Sequence, residues 1–298
     1  MERLPAPSKL DAGLVRRLIE AQFPHWAELP IRPVRHMGWD NRTFRLGPDM
    51  VVRLPSAGAY AGQVTKEQRW LPVLAPKLPL PIPFPLAMGE PGAGYPWHWS
   101  IYSWLPGEPL SVRHVPDTGR LAGSLANFLV APQRIDPREG PRPGPDNFYR
   151  GGTLTTYDGE ARRAISLLEG RIDARAASRA WDAAIEPAHD GSAVWVHGDV
   201  SFPNLLVRKG ELAGVIDFGC LAVGDPACDL AVAWSWMSRQ SRCAFRSALP
   251  LDEATWARAR GWALWKALVV LAGLSPAHRG AQEQAGRALQ EVLRDDNE

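Results

Sequence analysis

Three oxygen-bearing side chains stand close together late in the 298-residue sequence: Asp199, Asn204 and Asp217. The first two share the segment VHGDVSFPNLLV (196–207), and the third lies in GVIDFG (214–219). A strand over Leu205–Val207, a turn at Arg208-Lys209-Gly210 and a returning strand over Leu212–Ile216 bring Asp217 back beside Asn204. Magnesium takes hard oxygen ligands and only a few from protein, the rest coming from phosphate and water. Asn204 and Asp217 suit that task. Asp199 is then free to orient an attacking hydroxyl or to accept its proton.

The elements that position these residues fall into two kinds. Leu14, Leu18 and Ile19 form one stripe of a short amphipathic helix over 11–22, with Asp11 as its cap. Strands are expected at 31–35, 41–46 and 50–54, the last two joined by the turn Gly47-Pro48-Asp49. A helix is expected over 60–74, and the proline-rich stretch 76–85 reads as an extended connector. Trp97–Trp104 alternates as a strand and ends at Pro106-Gly107. Beyond it, helical patterns cover 118–130, 158–169, 174–188, 228–238, 252–274 and 277–294. They are interrupted by the long Pro/Gly/Arg loop 131–152 and the compact β unit 193–218. A small β-rich lobe, residues 1–104, precedes a larger helical lobe, residues 105–298.

On the first helical face after the strands, Val64, Glu67, Leu71 and Leu74 are spaced by three and four, so Glu67 lies on an apolar stripe. A buried carboxylate needs a partner, and the preceding strand offers Arg53. A plain ion pair between two elements is the alternative to a functional role. No Walker motif GxxxxGK[ST] occurs, so nucleotide binding requires another fold.

The catalytic block resembles the loops of protein kinases in which D-x4-N and D-F-G carry these roles. It resembles more closely the aminoglycoside phosphotransferase family, which includes choline-, homoserine- and macrolide-kinase-like members. The family pattern is matched in order by His197-Gly198-Asp199, Asn204, Ile216-Asp217-Phe218-Gly219, Gly224-Asp225-Pro226 and Asp229. The resemblance implies an α+β, protein-kinase-like two-lobe fold, with an antiparallel-sheet N-lobe and a mainly helical C-lobe. It implies transfer of the γ-phosphoryl group of ATP or GTP, with Mg²⁺, to a hydroxyl of an aminoglycoside-like acceptor. Asp199 is then catalytic, and Asn204 and Asp217 bind the metal. Arg53, paired with Glu67, holds the phosphates in place of the protein-kinase lysine. Gly38, in the loop Met37–Asn41, resembles the family's phosphate loop, although an ordinary hairpin turn would read the same way. Ser103, Trp104 and Leu105 resemble the inter-lobe hinge that meets the nucleobase, with Tyr102 screening the back of the pocket. His197 reads as structural. Asp225 and Asp229 also fit simple helix caps.

A macrolide, homoserine or other metabolite kinase on the same fold is the enzyme alternative, and an inactive nucleotide-binding pseudokinase is the non-enzyme one. A protein kinase fits less well, because no APE-like segment follows Asp217. For a cationic acceptor, Asp146, Asp158, Glu160, Asp252 and Glu253 are carboxylates available by position. Trp234, Trp236, Trp256, Trp262 and Trp265 suit core packing or a pocket wall.

Composition narrows the partners to small molecules. The formal net charge is +2, which lacks the electrostatic footprint of a nucleic-acid binder. Three cysteines without a CxxC pair suit a reducing cytosol better than a disulfide scaffold. The first residues carry no apolar signal core, and the most apolar stretch, 262–274, contains Lys266 and is too short to span a bilayer. A cytoplasmic location with no membrane partner is expected.

Overall fold

The computed structural model describes residues 10–34, 40–110, 118–275 and 279–294. Helix α1 (Ala12–Gln22) starts where Asp11 accepts a hydrogen bond from the Leu14 N–H at 2.8 Å. It buries Leu14, Val15, Leu18 and Ile19, the stripe its spacing predicts. Strands β1 (Ile31–Pro33), β2 (Asn41–Leu46), β3 (Met50–Pro55), β4 (Pro85–Gly89) and β5 (Trp99–Ser103) form one sheet in the order β1-β2-β3-β5-β4. All of its pairings are antiparallel.

Alternation along β3 explains what the sheet does. Val52 and Leu54 join α1 in one apolar cluster, with Phe44, Trp99 and Ile101. Val51 packs instead with helix α2 (Gly58–Leu74) and the second half of the chain. Arg53 shares that second face. The sheet is thus closed on one side by α1 and presents Arg53 toward the helical half.

The rest of the chain is built around one large core. Strand β6 (Glu108–Pro109) pairs with the hairpin of β8 (Leu205–Arg208) and β9 (Glu211–Val215), and β7 (Val194–Val196) pairs with β10 (Ala222–Gly224). The β8–β9 turn is Lys209-Gly210, both at positive φ (54° and 80°), the geometry that matches strand twist. Helices α3 (Thr118–Gln133), α4 (Asp158–Leu167), α5 (Ala174–Ile185), α6 (Ala227–Leu230), α7 (Ala233–Trp236), α8 (Arg239–Ser247), α9 (Glu253–Leu271) and α10 (Arg279–Arg294) surround these strands. Trp181, Trp262, Phe128 and Phe245 are among the largest fully buried side chains. Trp234 and Trp256 belong to this core, as their helical spacing suggests.

Several elements depart from expectation. The helix expected over 228–238 is two short helices, because Trp234 and Ser235 donate three residues back, to the Ala231 and Val232 carbonyls, and tighten the backbone. Helix α8 and strands β4, β6 and β10 were not expected. Among the described residues no helix is long and apolar enough to cross a membrane.

Candidate active site

The loop after β7 carries His197, Gly198 and Asp199, and its shape is fixed from below. Asp229, buried in α6, accepts hydrogen bonds from the His197 and Gly198 N–H groups, both at 2.7 Å. It therefore caps the catalytic loop and not the helix it sits in. Burial pushes its carboxyl above the usual range, while His197 and the two N–H groups oppose the rise. Gly198 has φ +83°, and a Cβ there would meet the Cys220 carbonyl oxygen at 2.2 Å, so only glycine fits. His197 Nε2 bonds the Ile216 carbonyl at 2.9 Å, and its Nδ1 accepts from the Asp199 N–H at 3.2 Å. The ring lies 4.5 Å from Phe218, so His197 braces the two loops together.

Asn204 and Asp217 meet at one end of the hairpin, where the Ile216 N–H donates to the Asn204 carbonyl at 2.9 Å. The Asn204 amide nitrogen donates to the Asp199 carbonyl at 3.0 Å, which leaves its side-chain oxygen for another partner. Asp217 sits in the left-handed region (φ 67°), a strained position for a residue with a Cβ and one that recurs at functional sites. Its Oδ1 is 2.5 Å from Arg53 Nη2.

Arg53 is the hub of a charged cluster at the edge of the sheet lobe. Its Nη1 meets Glu67 at 3.1 Å, and Asp40 lies 3.7 Å from Nη2. Tyr102, fully buried, donates its hydroxyl to Glu67 Oε2 at 2.6 Å. Burial works against the Arg53 charge, but Asp217, Glu67 and Asp40 hold its pKa well above the ordinary value. Burial, then Asp217, pushes Asp40 up to about 6, against the pull of Arg53. Three carboxylates share one arginine here, so a further cation is the charge this cluster lacks. Among the described residues, no three His, Cys, Asp or Glu side chains converge as a metal cage on their own. A magnesium ion taking Asn204 and Asp217 oxygens and completing its shell from phosphate and water fits that donor set.

At the hinge, the Ser103 N–H donates to the Phe84 carbonyl at 2.9 Å and the Trp104 N–H to the Asp49 carbonyl at 2.8 Å. Trp104 carries the Arg45 guanidinium over its ring at 4.0 Å. Of the three hinge N–H groups, the one at Leu105 has no acceptor among the described residues. Gly38 lies outside the described residues.

Around Asp199 lie groups that sequence spacing did not reveal. Lys266, on α9, places Nζ 3.0 Å from Asp199 Oδ1. Withdrawal from water would raise the Asp199 pKa, but Lys266 and Arg150 outweigh it and hold the carboxyl below its usual range. Arg150 lies 4.6 Å from the Trp265 ring centre, 5.3 Å from Trp262 and 5.7 Å from Tyr157. Its neighbour Gly151 is pressed against β10: a Cβ on Gly224 would meet the Gly151 oxygen at 2.1 Å. Asp225, whose N–H donates to the Gly151 carbonyl at 2.7 Å, is clamped by Arg258 at 2.6 and 3.2 Å. Most acidic residues considered for the acceptor have other partners. Asp158 accepts from Trp181 and pairs with Arg162, Asp252 caps α9, and Glu253 pairs with Arg246. Glu160 accepts from Trp265 Nε1 at 2.7 Å, and Asp146 lies beside Gly62 of α2.

The model of the phosphotransferase enzyme family matches residues 31–262, most of the chain. The chain belongs to that family. No curated protein matches it significantly. Among solved structures, this phosphotransferase is similar to the GDP complex of wild-type aminoglycoside 2'-phosphotransferase-IIIa. Identity is 19%, the match covers 95% of this chain and 98% of that one, and the TM-score is 0.71. The apoenzyme of macrolide 2'-phosphotransferase MphH from Brachybacterium faecium is 23% identical, over 92% of this chain and 97% of that one, with a TM-score of 0.61. ADP-bound aminoglycoside phosphotransferase APH(2'')-Ib is 17% identical, over 96% and 99%, also at 0.61. At these identities the likeness establishes the fold of the phosphotransferase: kinase-like, α+β, with a sheet lobe and a helical lobe.

Proposed function

We propose that this phosphotransferase is a small-molecule kinase that moves the γ-phosphoryl group of a nucleoside triphosphate onto a hydroxyl. The observation that carries the reading is the union of Asp199, Asn204 and Asp217 at one end of the β8–β9 hairpin, with Arg53 reaching Asp217 from the sheet lobe. The lobes are taken as residues 1–104 and 105–298, with the site between them. In this reading the Leu105 N–H and neighbouring backbone meet the nucleobase. Arg53, set by Glu67 and Tyr102, turns from Asp217 toward the phosphates when nucleotide arrives. Gly38 belongs to the loop above them.

Magnesium, held by Asn204 and Asp217, neutralises phosphate charge when bound. The chain's own residues do the remaining work. Asp199 accepts a hydrogen bond from the acceptor hydroxyl and aligns its oxygen with the phosphorus. Because the transition state of phosphoryl transfer is loose, orientation matters more than early deprotonation. A carboxylate held ionised by Lys266 and Arg150 suits that role. A macrolide acceptor is the second reading, favoured by the similarity to MphH.

The test is a phosphorus NMR assay of the protein with Mg-ATP or Mg-GTP and a panel of alcohols. A new phosphate monoester resonance that is lost in Asp217→Ala supports the reading. Nucleotide that neither binds nor is consumed contradicts it.

A further inference from the structure

The two sides of the cleft have opposite charge. On the nucleotide side Asp40, Glu67 and Asp217 surround Arg53, with Lys66 near Glu67. On the acceptor side, Lys266 and Arg150 both act on Asp199. Lys266 is spent on Asp199, with Nζ 3.0 Å from Oδ1. Arg150 acts on Asp199 through space, without a hydrogen bond to it among the described residues. Its Nε and Nη1 are buried without a hydrogen-bond partner, and no carboxylate pairs with it among the described residues. Tyr157, Trp262 and Trp265 attract its charge with their ring faces but offer no lone pairs to its in-plane N–H groups. Glu160, on the same wall, is exposed and accepts from Trp265 Nε1.

A permanently charged guanidinium, half-buried and unpaired, is an unmet demand for an anion. Lys66, whose Nζ is also buried and unbonded, does not compete for that role: burial pushes its pKa down, and Glu67 and Asp146 lie near it. Arginine offers a fork that matches a carboxylate or phosphate. Its setting is also fixed, because Gly151 is pinned to Asp225 and Asp225 to Arg258. A polycation entering here would bring ammonium groups toward Arg150 and Lys266, and like charges reject a ligand.

We propose that the acceptor is an alcohol bearing an anionic group, a carboxylate or a phosphate ester, which Arg150 anchors beside Asp199. Arg150 is thereby a specificity-determining residue, and the aminoglycoside-like acceptor is disfavoured. This rests on the kinase reading for the role of Asp199, but the anion site itself can be measured separately.

The probe is inorganic sulfate, titrated calorimetrically at constant ionic strength into the whole protein. Three states are compared: ligand-free, saturated with Mg-ADP, and saturated with a non-hydrolysable Mg-ATP analogue. Saturable sulfate binding is expected in all three, weakened at least 10-fold in Arg150→Gln and weakened less in Arg150→Lys. Thermal midpoints of both variants confirm folding, and the lysine variant stands in if the glutamine one unfolds. Kanamycin is expected not to bind. The proposal is overturned by an absence of saturable binding or by equal binding in Arg150→Gln. It is overturned too if the ATP analogue but not ADP displaces sulfate, since the anion would then be the γ-phosphoryl group. Kanamycin binding tighter than sulfate would also overturn it. If neither nucleotide binds, the kinase reading fails while the ligand-free titration still decides the anion site.

Discussion

Replacing Asp229 by alanine removes the acceptor of two buried N–H groups, those of His197 and Gly198, each 2.7 Å from its carboxylate. Asp229 is 4% exposed, so water does not replace it freely. Hydrogen bonds to a charged group contribute about 1.5–3 kcal/mol each, and the two share one carboxylate, so the loss is about 3–5 kcal/mol. At about 2 °C per kcal/mol for a chain of this size, the thermal midpoint falls by about 6–10 °C. The same two bonds hold the loop that ends in Asp199. A shift of about 1 Å there lowers turnover roughly 10²-fold. Nucleotide affinity should stay nearly constant, since Arg53 and the hinge are untouched. The pH dependence adds an independent readout. The folded pKa of Asp229 is raised by burial above its ordinary 3.8, so the folded state holds the proton more tightly. Its contribution to stability is therefore fully present below 3.8 and is lost as the pH rises through the folded pKa. Asp229→Ala should flatten that slope. Calorimetry across pH and steady-state kinetics measure these effects. A variant destabilised by less than about 1 kcal/mol with full turnover would refute the loop-capping role.

Arg258→Met strands the buried Asp225 carboxylate and should cost about 3–5 kcal/mol by denaturant titration, with Asp225→Leu in the same chain restoring much of it. Lys266→Met should lower turnover and move the acid limb of the kcat profile to higher pH, because Asp199 loses the first cation that holds its pKa down. The sign is fixed by the depression: in wild type the Asp199 contribution to stability is present above 3.8 and lost as the pH falls through the folded value. Asp217→Ala, or removal of divalent cations by chelation, should abolish turnover while the circular dichroism spectrum is unchanged.

The residues legible in the sequence were those whose partners are near in the chain. Asp199, Asn204 and Asp217 are joined by one hairpin, and a two-residue turn fixes their meeting. Arg53 and Glu67 were found because a carboxylate on an apolar helical stripe demands a partner, and the preceding strand supplied it. Lys266 was not legible. It lies 67 residues from Asp199 on α9, and no local pattern marks which side chain it will meet. Arg150 sits in a long Pro/Gly loop without periodicity, so its aromatic setting exists only after α9 has packed. The strand ending at Ser103 was legible from its alternation, but its pattern does not show that the Ser103 and Trp104 N–H groups are already taken by the Phe84 and Asp49 carbonyls. Strand β4 was hidden by Pro85 and the proline run before it; an edge strand tolerates such a residue because one side needs no donors.

The most direct measurement is a comparison of wild type with Asp199→Asn under saturating Mg-nucleotide, with nucleotide affinity by calorimetry and phosphate-ester formation by steady-state assay. An asparagine keeps the shape of Asp199 but not its charge. Nearly constant affinity is expected, with turnover reduced roughly 10²-fold or more. Turnover at the wild-type level, or affinity that collapses together with it, would contradict the assignment of Asp199 to the acceptor hydroxyl.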